Sequence, residues 1–275
     1  MSETGISTVF CSWDFSNLYF SDPKLFAYRD SLGAAAFVFS RTDDTLRGLH
    51  YGGVVTNCPD QAFCADVVAQ LTEYFQTEGV RSYQMRNHPF LSTIKVGTLI
   101  KEEPFVFIDL TRPSKELDAA LSKQHRRCIR KADESGLKVV YSDDGRKYLN
   151  IFYDYYQARQ EQMDVQPHAY AFFEQMFKSL RDHLIIGVVR QADQIFAVSL
   201  LLQDLDHVFM TYGGMSDEGY ERYAKHLMVS DMMLRFKSIG FTKLVLGTGN
   251  NGKDSIFDFK RGFVNREHSV LTYGV

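Results

Sequence analysis

The sequence is poor in cysteine, long apolar runs and excess charge of either sign. Only Cys11, Cys58, Cys64 and Cys128 occur among 275 residues. None forms a Cys-x-x-Cys pair or a zinc-ligand spacing, so a disulfide scaffold and a structural zinc site are excluded, and free thiols in a reducing compartment are expected. No stretch approaches the ~18 consecutive apolar residues of a membrane span. The opening "MSETGISTVFCSW" lacks both the basic region and the apolar core of a secretory signal, and a cytoplasmic protein is expected. Net charge is −3, which gives no global basic field for nucleic acid and leaves only local patches. Low-complexity tracts and internal repeats are missing.

What is present is an ordinary globular composition, 45% hydrophobic and 24% charged. A chain this long buries a substantial core without staples. The first third is irregular and aromatic. "AAAFVF" reads as a strand, and "LRGLHYGGVV" as a second strand interrupted at Tyr51-Gly52-Gly53. "PDQAFCADVVAQLTEYFQTEG" reads as a helix, with Val67, Val68, Leu71 and Phe75 at helical spacing and Gly79 as its stop. After the buried strand "EPFVFIDL", "TRPS" breaks the chain. A boundary is placed there, giving domains 1–112 and 113–275.

"PSKELDAALSKQHRRCIRKADESG" reads as one helix from Ser114 to a stop at Gly136. At ~100° per residue, Leu117, Leu121, Cys128 and Ala132 gather on one side and Arg126, Arg127 and Arg130 on the other. The basic side is either a solvated face or an anion-facing stripe. "KYLNIFYDYYQARQEQM" and "AYAFFEQMFKSL" are helices with aromatic core faces. "LIIGVVR", "IFAVSLLLQ" and "HVFMTYGG" are three strands with short polar links, as in an antiparallel meander. A helix from "YERYAKHL" to Gly240, the strand "TKLVLG", a short helix and the strand "HSVLTYG" complete the order. A helix inserted after a meander points to a mixed α/β sheet covered by helices.

Three segments carry a family resemblance. "RRCIRKADESGLKV", "LGTGNNGKDSIFDFKRGF" and "YGGV" from Tyr51 resemble segments of the Fem family, the bacterial aminoacyltransferases of peptidoglycan cross-bridges. The element order is similar to the GNAT acyltransferase fold. The resemblance implies two GNAT-like domains packed together, the first partial and the second complete, with a substrate groove between them. It implies transfer of an acyl or aminoacyl group to an amine acceptor, a cell-wall precursor or another small molecule. The co-substrate would be acyl-CoA or aminoacyl-tRNA, tRNA being a partner in the second case, with no tightly bound cofactor and no metal. Two features depart from the pattern. The coiled-coil arm of several cross-bridge enzymes is missing, and "GGMSDEGYERYAKHL" has no Gly-x-Gly at the helix start where acetyl-CoA enzymes hold pyrophosphate.

The resemblance makes Lys260, with Phe259 beside it, the catalytic candidate. Aminolysis builds negative charge on the carbonyl oxygen, and a fixed cation or backbone N–H there stabilises it. Asp254 or Ser255 is the expected cap of the short helix, and Gly249 and Asn250 belong to a loop able to offer N–H groups. Tyr51, Gly52 and Tyr212 are the candidate lining of the acceptor groove. Arg126, Arg127 and Arg130 are the candidate grip on phosphate or tRNA. A general base has no clear owner among His50, His226, Glu73, Asp109 and Asp258. The alternatives are a simple acyl-CoA-dependent N-acetyltransferase, a catalytically silent double-GNAT binding module, and an RNA-binding protein using the basic helix.

Overall fold

A computed structural model describes residues 6–91, 93–264 and 266–275. In chain order the elements are α1 (Trp13–Tyr19), β1 (Lys24–Arg29), β2 (Ala34–Thr42), β3 (Thr45–Gly48), β4 (Val55–Thr56), α2 (Gln61–Thr77) and β5 (Ser82–Arg86), followed by β6 (Thr98–Asp109), α3 (Ser114–Ala120), α4 (Lys123–Glu134) and β7 (Lys138–Ser142). Then come α5 (Leu149–Gln162), α6 (Tyr170–Ser179), β8 (Leu184–Gln191), β9 (Gln194–Asp204) and β10 (His207–Met215). Last are α7 (Asp217–Glu221), α8 (Ala224–Ser238), β11 (Lys243–Gly247), α9 (Ser255–Arg261) and β12 (His268–Gly274). Among the described residues, no helix is long and apolar enough to cross a membrane. All four cysteines are free.

The chain divides into two compact units, Met1–Glu103 with Ser269–Val275, and Pro104–His268. The border therefore falls inside β6 rather than at Arg112. The reason is pairing: Val106 to Asp109 form a ladder with β11, so the strand ahead of the "TRPS" break already belongs to the second unit. The last strand, β12, pairs antiparallel with β5 and so returns to the first.

In the first unit β1, β2 and β3 are successive antiparallel neighbours, and β3 runs parallel to β5. Phe37, Phe39 and Leu46 from this sheet pack with Phe63, Val67 and Leu71 of α2, all fully buried. The helix starts at Gln61, two residues after Pro59, the first residue of the segment read as helical. Asp60 is the N-cap, its carboxylate accepting from Ala62 and Phe63 N–H.

In the second unit the strand order is β6-β11-β10-β9-β8-β7. The β8–β9–β10 meander is antiparallel throughout, and β11 runs parallel to β10 and antiparallel to β6. The core joins Phe196 and Leu201 of β9 to Met228, Met232 and Phe236 of α8. Two helices read as continuous are each broken in two. Leu121 is extended, and Ser122 re-caps the chain as α4 by accepting from His125 N–H. Tyr223 stands in the left-handed region at φ 58° and separates α7 from α8. A tyrosine there has no compositional signature, because that conformation is usually given to glycine.

The parallel β10–β11 ladder runs only from His207↔Lys243 to Phe209↔Val245. Beyond it the strands part, and β10 continues with β9 alone, through a bulge between Met210 and Tyr212. Gly213 and Gly214 follow on alternate faces. A Cβ at Gly214 would lie 2.1 Å from the Tyr155 carbonyl oxygen of α5, so the glycine is what lets that helix seat on the strand. Gly214→Ala is expected to cost more than ~2 kcal/mol in urea unfolding. Gly187→Ala, whose new methyl would meet nothing nearer than 3.4 Å, is expected to be nearly neutral. Equal effects would show that α5 does not seat this closely.

Candidate active site

The gap between the parted strands is a pocket of about 510 Å³, a size suited to a small-molecule ligand. Met210 to Gly213 form one wall, Asn250, Ser255, Ile256, Phe259 and Lys260 another, the start of α8 a third, and the end of α5 a fourth. It opens at the carboxyl ends of two parallel strands, where ligands of α/β sheets commonly bind.

Lys260 lines this pocket from the last turn of α9. Its ammonium donates to the Thr248 carbonyl oxygen at 2.7 Å. Burial pushes its pKa down to about 8, with Asp254 acting the other way. Two of its three donors thus remain for a ligand. Asp254 is the cap of α9, accepting from Phe257 N–H at 2.9 Å. The same carboxylate accepts from the N–H groups of Asn250 and Asn251 at 2.8 and 3.1 Å. Those two loop donors are thereby engaged within the protein, contrary to the expectation that they face a carbonyl oxygen. Gly249 does not line the pocket. A Cβ on it would meet Gly252 O at 2.2 Å and an Asp254 carboxylate oxygen at 2.5 Å, so it is the glycine that lets the loop fold onto its cap. Asn250 lines the wall through its side chain, 3.0 Å from the Met163 sulfur.

Phe259 reaches the pocket and also ties α9 to α4. His125 Nε2–H donates to the Phe259 carbonyl oxygen at 2.8 Å, and Nδ1 lies 2.9 Å from Ser122 Oγ. A carbonyl only accepts, so Nε2 carries the proton and the neutral ring takes the serine hydroxyl at Nδ1. Burial lowers the His125 pKa, against the Phe259 bond. The Ser122 N–H donates to the Gly262 carbonyl at 2.8 Å. A Cβ at Gly262 would sit 2.1 Å from the imidazole. The glycine of "FKRGF" is therefore the bed of His125, and the basic-helix and lysine motifs are two sides of one contact. His226 stacks edge-on to His125 with centroids 4.7 Å apart. Burial, then His125, push its pKa down to about 4, so it is neutral at pH 7 and a weak base.

Tyr212 lines the pocket and packs on Tyr156 and Phe173. Arg126, Arg127 and Arg130 do not join it. All three are exposed on α4. Arg126 donates to the Asp118 carbonyl oxygen, and Arg130 pairs with Glu134 at 3.7 Å along its own helix. Helical spacing grouped them correctly but put them on a solvated face. Tyr51 is buried in the first unit with Arg86 5.2 Å from its ring centre, and burial pushes its pKa up to about 12. Gly52 closes a turn beneath it, its N–H on the Leu49 carbonyl. His50 lies 3.2 Å from Arg86 in the same unit.

Sequence reasoning missed Lys225 and His125. Lys225 lines the pocket from the first turn of α8, its ammonium donating to Val198 O at 2.9 Å and to Ser199 Oγ. Burial pushes its pKa down to about 7. Its only sequence signal is a lysine next to a histidine in "ERYAKHL", which is not distinctive.

A family model described as acetyltransferase (GNAT) domain matches residues 119–261. No curated protein matches the chain. Among solved structures, FemX is similar over 97% of this chain and 92% of its own, at 13% identity and a TM-score of 0.72. The C-terminal domain of a putative lysylphosphatidylglycerol synthetase from Agrobacterium fabrum is similar over 95% and 86%, at 11% identity and 0.61. L-PGS from Bacillus licheniformis is similar over 90% and 83%, at 12% identity and 0.56. At these identities the likeness is one of fold.

The two histidines give a pH test. An unfolded histidine titrates near 6.5, above both folded values, so their contribution is fully present above about pH 6.5 and is lost as pH falls toward 4. For His226 the loss is at most on the order of 3 kcal/mol. Unfolding midpoints of the wild type should drop over that window, and those of His226→Gln should drop less. Parallel curves would mean that His226 is not held neutral.

Proposed function

Because the chain belongs to the acetyltransferase (GNAT) domain family, we propose that it moves an acyl or aminoacyl group onto an amine, with Lys260 as the group that meets the carbonyl oxygen. The observation that carries this reading is the Lys260 ammonium, fixed by the Thr248 carbonyl and open to the pocket where β10 and β11 part. A lysine sealed away from any groove would have argued for a silent binding module instead.

In this reading the acceptor nitrogen attacks the carbonyl carbon, and the oxygen takes up charge beside Lys260. The carbon–sulfur bond of a thioester, or the carbon–oxygen bond of an aminoacyl ester, then breaks. The products are an amide and a thiol or alcohol. No carboxylate lines the pocket among the described residues, and His226 is a weak base. We therefore assign the acceptor's proton to the departing sulfur or oxygen, a substrate-assisted route. Phe259 holds its neighbour in place through the His125 bond and is a positioning residue here. The donor is acyl-CoA or aminoacyl-tRNA, and the acceptor is an amine-bearing cell-wall precursor or another small molecule.

The test is thiol release from a panel of acyl-CoAs, alongside transfer from aminoacyl-tRNA, with Lys260→Met as the variant. Loss of one such donor typically lowers the rate by about 10²–10³. The unfolding midpoint should hold or rise, since a buried amine is replaced by a thioether of similar volume. Full activity in Lys260→Met would remove the lysine from the mechanism. No turnover with either donor class, in a protein that still binds them, would leave the binding-module reading.

A further inference from the structure

The pocket is lined by basic side chains and, among the described residues, by no acid. The basic ones are Arg159, Lys225, His226 and Lys260. Lys225 has a specific setting. Its side chain crosses from α8 over Gly213 to β9, where the ammonium rests on one carbonyl and one hydroxyl. A Cβ at Gly213 would fall 2.9 Å from Nζ and 2.4 Å from Val198 O. The glycine therefore keeps the path of the lysine clear, just as its neighbour Gly214 admits α5 on the opposite face.

Both oxygens that hold Lys225 are neutral, and Lys225 forms no ion pair among the described residues. An ammonium has three donors; here two go to oxygens and the third meets only the Met228 sulfur at 3.9 Å, a weak acceptor. A buried cation without a counter-ion is costly, and proteins pair such charges or bind an ion to them. The start of α8 adds further positive partial charge at the same place. A lysine serving only to fill space would be better replaced by methionine. One bridged to two strand atoms beneath a glycine, at the wall of an open pocket, is placed for a ligand.

We propose that the pocket takes a substrate carrying a carboxylate or phosphate group, and that Lys225, braced by Ser199 and Val198, binds that anion while Lys260 faces the reacting carbonyl. This rests on the acyl-transfer reading only for the role of Lys260; the anion site itself follows from the pocket. The chemistry is that of a small anion rather than a nucleic-acid backbone, because the volume suits a small molecule and the exposed arginines of α4 lie outside it. Holding a substrate at an acidic end and at a carbonyl fixes its orientation, which is worth more to the rate than either contact alone.

The experiment is thermal unfolding of the full chain with succinate, glutarate and glycerol 3-phosphate, and with succinamide and glycerol as neutral counterparts. Ionic strength is matched with chloride throughout, since anions can stabilise proteins non-specifically. Wild type is compared with Lys225→Met and, should that variant fold poorly, with Ser199→Ala, which keeps the lysine and removes one brace. At about 100 times its dissociation constant a ligand shifts the midpoint by several degrees. The expected result is such a shift with at least one anion, little or none with its neutral counterpart, and a shift at least halved in the variant. Response to the dicarboxylates alone assigns a carboxylate, and to the phosphomonoester alone a phosphate. A second readout is the NMR signal of ¹³C-methylated Lys225, identified by its loss in Lys225→Met, whose titration midpoint should rise when the anion is present. Equal shifts in wild type and variant, equal shifts with neutral counterparts, or no shift with any anion would overturn the proposal. Anion binding without acyl transfer would refute the function above and leave this site standing; transfer without anion binding would do the reverse.

Discussion

The parting of β10 and β11 is the constraint on which the second unit is organised. Two parallel strands that share only His207 to Phe209 and Lys243 to Val245 must leave a gap beyond, and the gap must be walled by something other than a third strand. The wall after β11 is a loop folded onto the carboxylate of Asp254 and a two-turn helix, α9. That helix is too short to be stable by its own hydrogen bonds. It is held by Phe257 and Phe263 in the core and by His125 on the Phe259 carbonyl. The position of Lys260 is therefore a consequence of contacts made by its neighbours, and Lys260 itself spends only one donor on the Thr248 carbonyl.

Desolvation then decides the character of the gap. Burial holds the pKa values of Lys225 and Lys260 down, and it lowers those of His125 and His226 in the same way. Cations that rest on carbonyls and a hydroxyl are held in place without being neutralised. The field they make is available to whatever carries charge into the pocket, and it acts more strongly there than it would in water.

Periodicity and caps were enough to read most of this architecture. Gly136 does end α4, Asp254 does cap α9, the meander stands where it was read, and Phe152 and Tyr156 of α5 and Phe173, Met176 and Phe177 of α6 are buried as their spacing predicts. The short strands "KLFAYR", "SYQMR" and "KVVYS" escaped notice, because their alternation of polar and apolar residues is too brief to stand out. The breaks at Ser122 and Tyr223 escaped for another reason. Each depends on a partner far along the chain or on a backbone angle that the residue type does not announce. The site was half legible. Lys260, Phe259, Tyr212 and Asn250 do meet in one pocket, but Gly249 serves the loop, and the three arginines serve the solvated face of α4. Lys225 and His125 become visible only when helices α8 and α4 are laid beside α9, since nothing in "YAKHL" or "SKQHRR" marks them.

The first unit is discontinuous in sequence, since β12 pairs with β5. During synthesis every residue of the second unit is added before that strand is complete. The second unit is contiguous and can close its core as it emerges, whereas the first must wait with the edge of β5 uncovered. Its closure joins strands separated by the whole second unit, a pairing of high sequence separation and so a slow one. The topology thus makes the first unit, and not the one that carries the pocket, dependent on the strand that is made last.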